Sequence, residues 1–326
     1  RRAQGRFRHA GQPEGGRFPR GKGFGRLTEQ GGILCIDKPE GFTSFDVVAK
    51  LRGIARERRV GHAGTLDPMA TGVLPLFFGR ATKACDILPR QDKRYLASFK
   101  LGVTTDTQDI TGTVLSEQTP DADEARVRAA AAGLVGDIMQ TPPMYSAVRV
   151  NGQRLYELAR RGVEVERAAR PVTVHSIDFT VCDVQANTFT IDVHCSKGTY
   201  IRTLVADIGA ALGCGAVMTA LRRTMAAGFT LAECVTIEQA QQAAQDGAFG
   251  TLLRPVETAF GALPRAALNE KQTKMFLNGV RLDIGRVACK RAGGTYAVYA
   301  HNSRFLGVAQ ERDGLLCMQK LFTLEV

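Results

Sequence analysis

Between residues 61 and 75 the chain reads Gly61-His62-Ala63-Gly64-Thr65-Leu66-Asp67-Pro68-Met69-Ala70-Thr71-Gly72-Val73-Leu74-Pro75. Its one carboxylate, Asp67, is a group that could attack as a nucleophile or remove a proton. The pair Asp67-Pro68 also fits a helix start, because Asp is favoured at the N-cap and Pro at the first helical position. The glycines at 61, 64 and 72 point to a contorted backbone, which a plain cap does not require. The other reactive or charged residues each have an ordinary reading beside a functional one. Tyr95 could be a core aromatic on its strand, and Arg202 the edge of a helix's buried face. His62 could bond the loop it sits on. Lys38-Pro39 could be a strand exit, and Arg222-Arg223 solvated charge.

The elements around these residues follow from periodicity. Ile33-Leu34-Cys35-Ile36 is a short buried strand. Ser44 is placed to cap a helix with Val47, Leu51 and Ile54 on one face. Residues 57–75 read as a Gly- and Pro-punctuated loop. Tyr95, Ala97, Phe99 and Leu101 alternate with polar or smaller neighbours, as do Phe189, Ile191, Val193 and Cys195, so both segments are strands. Ile201, Leu204, Val205, Ile208 and Leu212 mark an amphipathic helix. Residues 236–247 read as an exposed helix. Beyond Arg254-Pro255 a short helix near 270–277 precedes strands at about 286–290, 295–300, 304–310 and 315–322. Turns fall at Gly293-Gly294, Asn302-Ser303 and Asp313-Gly314. The fold class is α+β, with a mixed sheet and a small C-terminal β-barrel, and it lacks the βαβα rhythm of a doubly wound fold.

Composition narrows the function classes. A chain of 326 residues with 44% hydrophobic residues can bury a sizeable core. No apolar run reaches the roughly 18 residues of a membrane helix, and the basic N-terminus lacks the apolar stretch of a secretory signal. The expected location is the cytoplasm. None of the eight cysteines forms a C-x-x-C pair, and the five histidines show no metal-ligand spacing. A disulfide framework is not expected and no metal is signalled. The net charge of +11 favours a polyanionic partner. Residues 1–30 contribute +6 of it; they are rich in Gly and Arg, carry few large apolar groups and read as a disordered arm.

The segment from Gly61 to Pro75 resembles the catalytic loop of bacterial TruB-type tRNA pseudouridine synthases nearly residue for residue. Four further segments agree in the family's order. They are Asp37-Lys38-Pro39 with Gly41 and Ser44; Lys93-Arg94-Tyr95 with Leu101-Gly102 and Thr104-Thr105-Asp106-Thr107; Thr141-Pro142-Pro143-Met144-Tyr145-Ser146-Ala147 with Gly152 and Leu155 to Arg160; and Ser196-Lys197-Gly198-Thr199-Tyr200-Ile201-Arg202. The resemblance runs from about 32 to about 235. Residues 252–326 weakly resemble the PUA-like RNA-binding module that follows the catalytic domain in that family. The implied organisation is an arm at 1–30, a pseudouridine synthase domain at 31–250 with a tRNA-gripping insertion at about 140–171, and a PUA-like domain at 252–326.

The resemblance implies an isomerase that converts uridine to pseudouridine at position 55 in the T-loop of tRNA, without a cofactor or metal. Asp67 would be the catalytic carboxylate, either as a nucleophile or in a route through a glycal-like intermediate. Arg202 would be the cation that keeps it charged. Tyr95 would stack on a uridine flipped from its loop, with Leu221 closing the other side. His62 would occupy the space the flipped bases leave, Lys38 would contact the RNA backbone or support the Asp67 loop, and Tyr200 would bind substrate. The implied partner is tRNA, held by the T-arm and the acceptor-stem side, with the enzyme a monomer. Two other readings stand beside this one: a guide-RNA-dependent pseudouridine synthase, and a tRNA-folding chaperone whose catalysis is dispensable. The long insertion argues for an enzyme that grips tRNA unaided.

Overall fold

The computed structural model describes residues 31–290 and 292–323. The arm expected at 1–30 lies outside them. The chain opens with strand β1 (Gly32–Lys38) and helix α1 (Ser44–Ala55). The cap of α1 is Thr43, whose hydroxyl accepts from the Asp46 amide while Asp46 bonds back to Thr43. Ser44 was the expected cap, but it is the first helical residue, and its side chain turns elsewhere. The stretch expected to be loop through Pro75 contains β2 (Val60–His62) and the start of β3 (Thr71–Phe78). In β3 a nearly unbroken apolar run, buried from Gly72 onward, outweighs the punctuation by Gly72 and Pro75.

The chain continues through β4 (Lys93–Leu101), a small β5–β6 pair (Val103–Thr105, Val114–Glu117), α2 (Glu124–Ala132) and β7 (Gly136–Gln140). The insertion holds a tight hairpin of β8 (Arg149–Val150) and β9 (Gln153–Arg154), turned on Asn151-Gly152, both with positive φ, and the short helix α3 (Leu155–Ala159). Then come β10 (Arg170–Asp183), β11 (Thr188–Cys195), α4 (Ile201–Ala211), β12 (Ala216–Ala226), β13 (Phe229–Thr230), β14 (Cys234–Val235) and α5 (Ile237–Gln245). The face of α5 expected to be exposed is in part buried, through Ile237, Ala240 and Ala244.

Ten strands form one mixed sheet in the order β14-β1-β3-β12-β4-β11-β10-β7, with β2 beside β3 and β13 beside β12. Helices α1 and α5 cover one region of it, packing Val47, Leu51, Ile237 and Ala240 on Leu34, Ile36, Leu74 and Phe78. Helices α2 and α4 cover another, with Val127, Leu204, Val205 and Ile208 on Phe99, Phe189 and Ile191. Three neighbouring strands bring the reactive residues together. Gly72 of β3 is in register with Arg223 of β12, and Arg223 with Tyr95 of β4.

The C-terminal part begins with β15 (Arg265–Ala267) and α6 (Glu270–Leu277). It adds β16 (Leu282–Asp283), β17 (Ala288–Cys289), β18 (Thr295–Tyr299), β19 (Phe305–Arg312) and β20 (Leu315–Leu321). They make a curled six-stranded half-barrel in the order β16-β20-β19-β18-β15-β17. The strand expected at 286–290 shrinks to two residues after a 3₁₀ turn. Phe305 stacks on Phe260, Phe322 packs tilted against it, and all share one apolar cluster with Ile33, Val73 and Phe77 of the large sheet.

Candidate active site

The Asp67 loop connects β2 to β3, and no helix follows Pro68; the loop closes instead on a turn in which the Ala70 amide donates to the Asp67 carbonyl at 3.1 Å. The helix-start reading of Asp67-Pro68 is therefore wrong. Three buried side chains brace the loop. Ser44 Oγ lies 2.8 Å from the Leu66 nitrogen and 3.2 Å from the Leu66 oxygen. The Lys38 ammonium donates to the carbonyls of Pro39, Phe42 and Pro68, the last at 3.1 Å. Arg223 donates from Nε to the Val73 carbonyl at 2.8 Å and from Nη2 to the Gly64 carbonyl at 3.0 Å, with Nη1 3.5 Å from the Thr65 carbonyl.

Lys38 and Arg223 have no solvent exposure at all. The Lys38 ammonium therefore faces the carbonyls of the loop and not solvent. Burial pushes its pKa down to about 8, against an opposing pull from Asp67. Arg223, whose surface reading fails, is the residue that sequence reasoning missed most completely. Gly72 has a φ of +101°, and a Cβ there would sit 2.2 Å from the Arg223 carbonyl oxygen, so only glycine fits where β3 leaves the loop.

Arg202, in the first turn of α4, forms the centre of the site. Its Nε lies 2.9 Å from Asp67 Oδ2 and 3.7 Å from Asp109 Oδ2. Its Nη1 donates to the Thr107 carbonyl at 2.7 Å and its Nη2 to the Tyr145 carbonyl at 2.8 Å. One planar guanidinium thereby joins the Asp67 loop, the threonine-rich segment after β5 and the Thr141–Ala147 segment, a task a single ammonium could not do. Asp109 is itself held by the hydroxyls of Thr107 and Thr111, at 2.8 and 2.6 Å. The start of α4 lacks a side-chain cap from its own N-cap residue, Tyr200. The buried Gln140 does that work: the Tyr200 amide donates to Gln140 Oε1 at 2.7 Å, and Gln140 Nε2 donates to the Tyr200 carbonyl at 3.1 Å. Asp109 and Gln140 were not singled out in the sequence, where only the Thr-x-Asp-x-Thr spacing marks the former.

The Asp67 side chain is 37% exposed. Oδ2 is anchored by Arg202, while Oδ1 has no hydrogen-bond partner among the described residues. Tyr95 and Leu221 are 6% and 7% exposed and belong to one apolar cluster with Leu66, against which Met69 packs. Burial raises the Tyr95 phenol pKa, so the ring is neutral. His62 Nε2 lies 3.3 Å from Thr65 Oγ1 within its own loop. Burial, and then the charge of Arg223, hold its imidazole below the ordinary pKa, in the neutral form. Beside Gly64 of the loop a cavity of about 250 Å³ is lined by the cations Arg90, Lys93 and Lys197 and by one carboxylate, Asp86. The arrangement offers a carboxylate anchored through one oxygen, an apolar wall and positive charge beside the loop.

Residues 52–201 match the family model described as TruB family pseudouridylate synthase (N terminal domain), and residues 202–261 match the tRNA pseudouridylate synthase B C-terminal domain. The chain is 43% identical over 293 residues to the tRNA pseudouridine synthase B of Burkholderia mallei (strain NCTC 10247), a span covering 89% of this chain and 96% of that one. It is 44% identical over 302 residues to the tRNA pseudouridine synthase B of Ralstonia pickettii (strain 12J), covering 90% and 94%. A solved Cbf5-Nop10-Gar1 complex contains a chain of the same fold, with a TM-score of 0.71 at 25% identity over 90% of this chain and 86% of that one. A solved H/ACA RNP bound to a substrate RNA containing 2'-deoxyuridine shares the fold at 23% identity, with a TM-score of 0.69, over 95% and 92%.

Proposed function

The chain belongs to the TruB family of pseudouridylate synthases and isomerises uridine to pseudouridine in tRNA; we propose that its target is uridine 55 of the T-loop, reached by flipping the base, and that Asp67 is the catalytic carboxylate. The observation that carries this reading is the Asp67–Arg202 pair at 2.9 Å, which anchors one oxygen of a carboxylate that is 37% exposed. Isomerisation breaks the bond from the ribose to N1 and forms one to C5, so the base must leave its stack and turn inside a pocket. Tyr95 supplies the apolar wall for the flipped ring and Leu221 its opposite side. Both are largely covered in the free protein, so the cluster around Leu66 and Met69 must part as the base enters. Asp67 acts at the sugar or the ring, by attack or by proton removal, and Arg202 balances its charge. A neutral His62 fills the vacated T-loop space, and Tyr200, at the start of α4, borders the substrate.

The reading extends to the rest of the chain. Residues 31–250 form the catalytic domain, and the insertion at about 140–171 grips the T-arm through Arg149, Arg154, Arg160 and Arg161. The domain at 252–326 is PUA-like and faces the acceptor-stem side. The enzyme works as a monomer in the cytoplasm, where tRNA is modified. No helix of the described residues is long and apolar enough to cross a membrane.

The test is tritium release from a T-arm stem-loop labelled at C5 of its uridines, which keeps the folded loop from which the base is extracted. Wild-type protein alone is expected to release label, and Asp67→Asn to retain less than about one hundredth of that rate while binding the RNA. A requirement for a guide RNA would establish the guide-dependent reading. Label release from a stem-loop with cytidine at position 55 would overturn the assignment of the target.

A further inference from the structure

Three potential metal ligands meet on the face of the large sheet opposite Tyr95. Asp92, His175 and His194 place one ligand atom each within 4.8 Å of one another. They come from three places in the chain: the lead-in to β4, the middle of β10 and the end of β11. A β-bulge makes the meeting possible. In the β10–β11 ladder Val174 pairs with Cys195 and Ser176 with His194, so His175 is the extra residue, swung to the side of His194. The two imidazoles lie 4.6 Å apart between ring centres, and His175 Nε2 is 3.6 Å from Asp92 Oδ2. Asp92 also feels the charge of the neighbouring Lys93. Arg94, the cation in register with His194, is spent on Asp192 at 2.7 Å.

We propose that Asp92, His175 and His194 form a binding site for a divalent transition metal of the zinc class. Two imidazoles and a carboxylate suit zinc better than magnesium or calcium, which prefer all-oxygen shells. A tetrahedral zinc with bonds of about 2.0–2.1 Å holds its ligand atoms roughly 3.3 Å apart. The 3.6 Å separation of His175 and Asp92 already approaches that, and side-chain rotation closes the rest. Three protein ligands leave a fourth position for water or an anion. The ion would fasten the lead-in of β4 to β10 and β11. The residue after Asp92 is Lys93, whose side chain lies against Gly64 of the Asp67 loop, within reach of a Cβ built there. Occupancy would hold three adjacent inner strands together and take no part in the isomerisation itself. Sequence spacing could not show it, because the bulge and the strand order create the proximity.

The experiment uses the full chain without a histidine tag, stripped with a chelator and titrated with zinc chloride by calorimetry, and with cobalt(II) to read coordination from its visible absorption. One equivalent of zinc is expected to bind with a Kd in the micromolar range or tighter, to raise the Tm, and to give a tetrahedral cobalt spectrum. His175→Asn, His194→Gln and Asp92→Asn are each expected to weaken binding at least about tenfold. His175 is an exposed bulge residue, so its substitution does not endanger folding and keeps the test decisive. Saturation only at millimolar zinc, or less than about tenfold weakening in any of the three variants, would overturn the site.

Discussion

A single hydroxyl, Ser44 Oγ, sits within hydrogen-bonding distance of both backbone polar atoms of Leu66, the residue before Asp67, at 2.8 and 3.2 Å. Helix α1 thereby fixes the peptide that precedes Asp67, across 22 residues of chain. The consequence is a tight link between helix position and the aim of Asp67, because a fixed peptide leaves its side chain few directions.

Ser44→Ala removes that link and leaves the buried Leu66 amide without a partner, at a cost of about 1–3 kcal/mol. Small displacements of a reacting group are expensive, so turnover should fall between about 10- and 100-fold while stem-loop affinity holds. Single-turnover rates and filter binding on the same preparation separate the two. A lower Tm with unchanged turnover would assign Ser44 to stability alone.

Arg223 serves the same loop from the other side. Replacing it with Met strips partners from the carbonyls of Val73, Gly64 and Thr65 and leaves a misfit beneath the loop. A loss of roughly 2–4 kcal/mol in urea unfolding is expected. Arg223→Lys should recover less than half of it, since one ammonium cannot span acceptors placed for a fork. Equal stability of the Lys variant and wild type would show that charge, and not shape, matters there.

Arg202→Met should act on the chemical step. The substitution frees Asp67 to swing and leaves Asp109 buried without its cation, so single-turnover rate should fall by about 100-fold or more with tRNA saturating. Because the guanidinium is 4% exposed and held by Asp67, Thr107 and Tyr145, it is not presented to a phosphate, and RNA affinity should change little. A pure affinity loss would mean that Arg202 turns from Asp67 to the RNA on binding.

The pairing of Asp67 with Arg202 was legible in the residues, as were strand β11, helices α4 and α6, and the turns at 293–294, 302–303 and 313–314. Each of these follows from local periodicity or from a long matching motif. The misreadings have a common physical origin. Arg223 read as surface charge because Arg is seldom fully buried; Lys38 does end strand β1 as read, but its ammonium is buried as well. Here the acceptors that permit it are backbone carbonyls of a loop folded back from elsewhere, Pro68 for Lys38 and Gly64 for Arg223. Side-chain types carry no trace of such acceptors. Gln140 was invisible for the same reason, since it caps a helix 60 residues away. The β3 error was different: Gly72 and Pro75 are breakers in general, but the glycine answers the approach of Arg223, and the Pro75 carbonyl still accepts from the Ala63 amide.

Lys38 gives a prediction in pH. Its folded pKa is near 8, against an ordinary value of 10.5, because burial disfavours the ammonium more than Asp67 supports it. Below pH 8 both folded and unfolded chains carry the proton, and the cost of burying the charge is present in full. Between about 8 and 10.5 the unfolded chain holds more protons than the folded one, so stability from this group rises with pH. Above 10.5 the gain is complete, on the order of 3 kcal/mol. Lys38→Met has no such group. Its stability relative to wild type should therefore worsen steadily from pH 8 to pH 10, while cysteines and tyrosines titrating in both proteins cancel in the difference. Urea unfolding of the two proteins at half-unit intervals over that range measures the slope. A constant difference would show that Lys38 keeps its ordinary proton affinity inside the fold, and that its three carbonyl partners compensate burial completely.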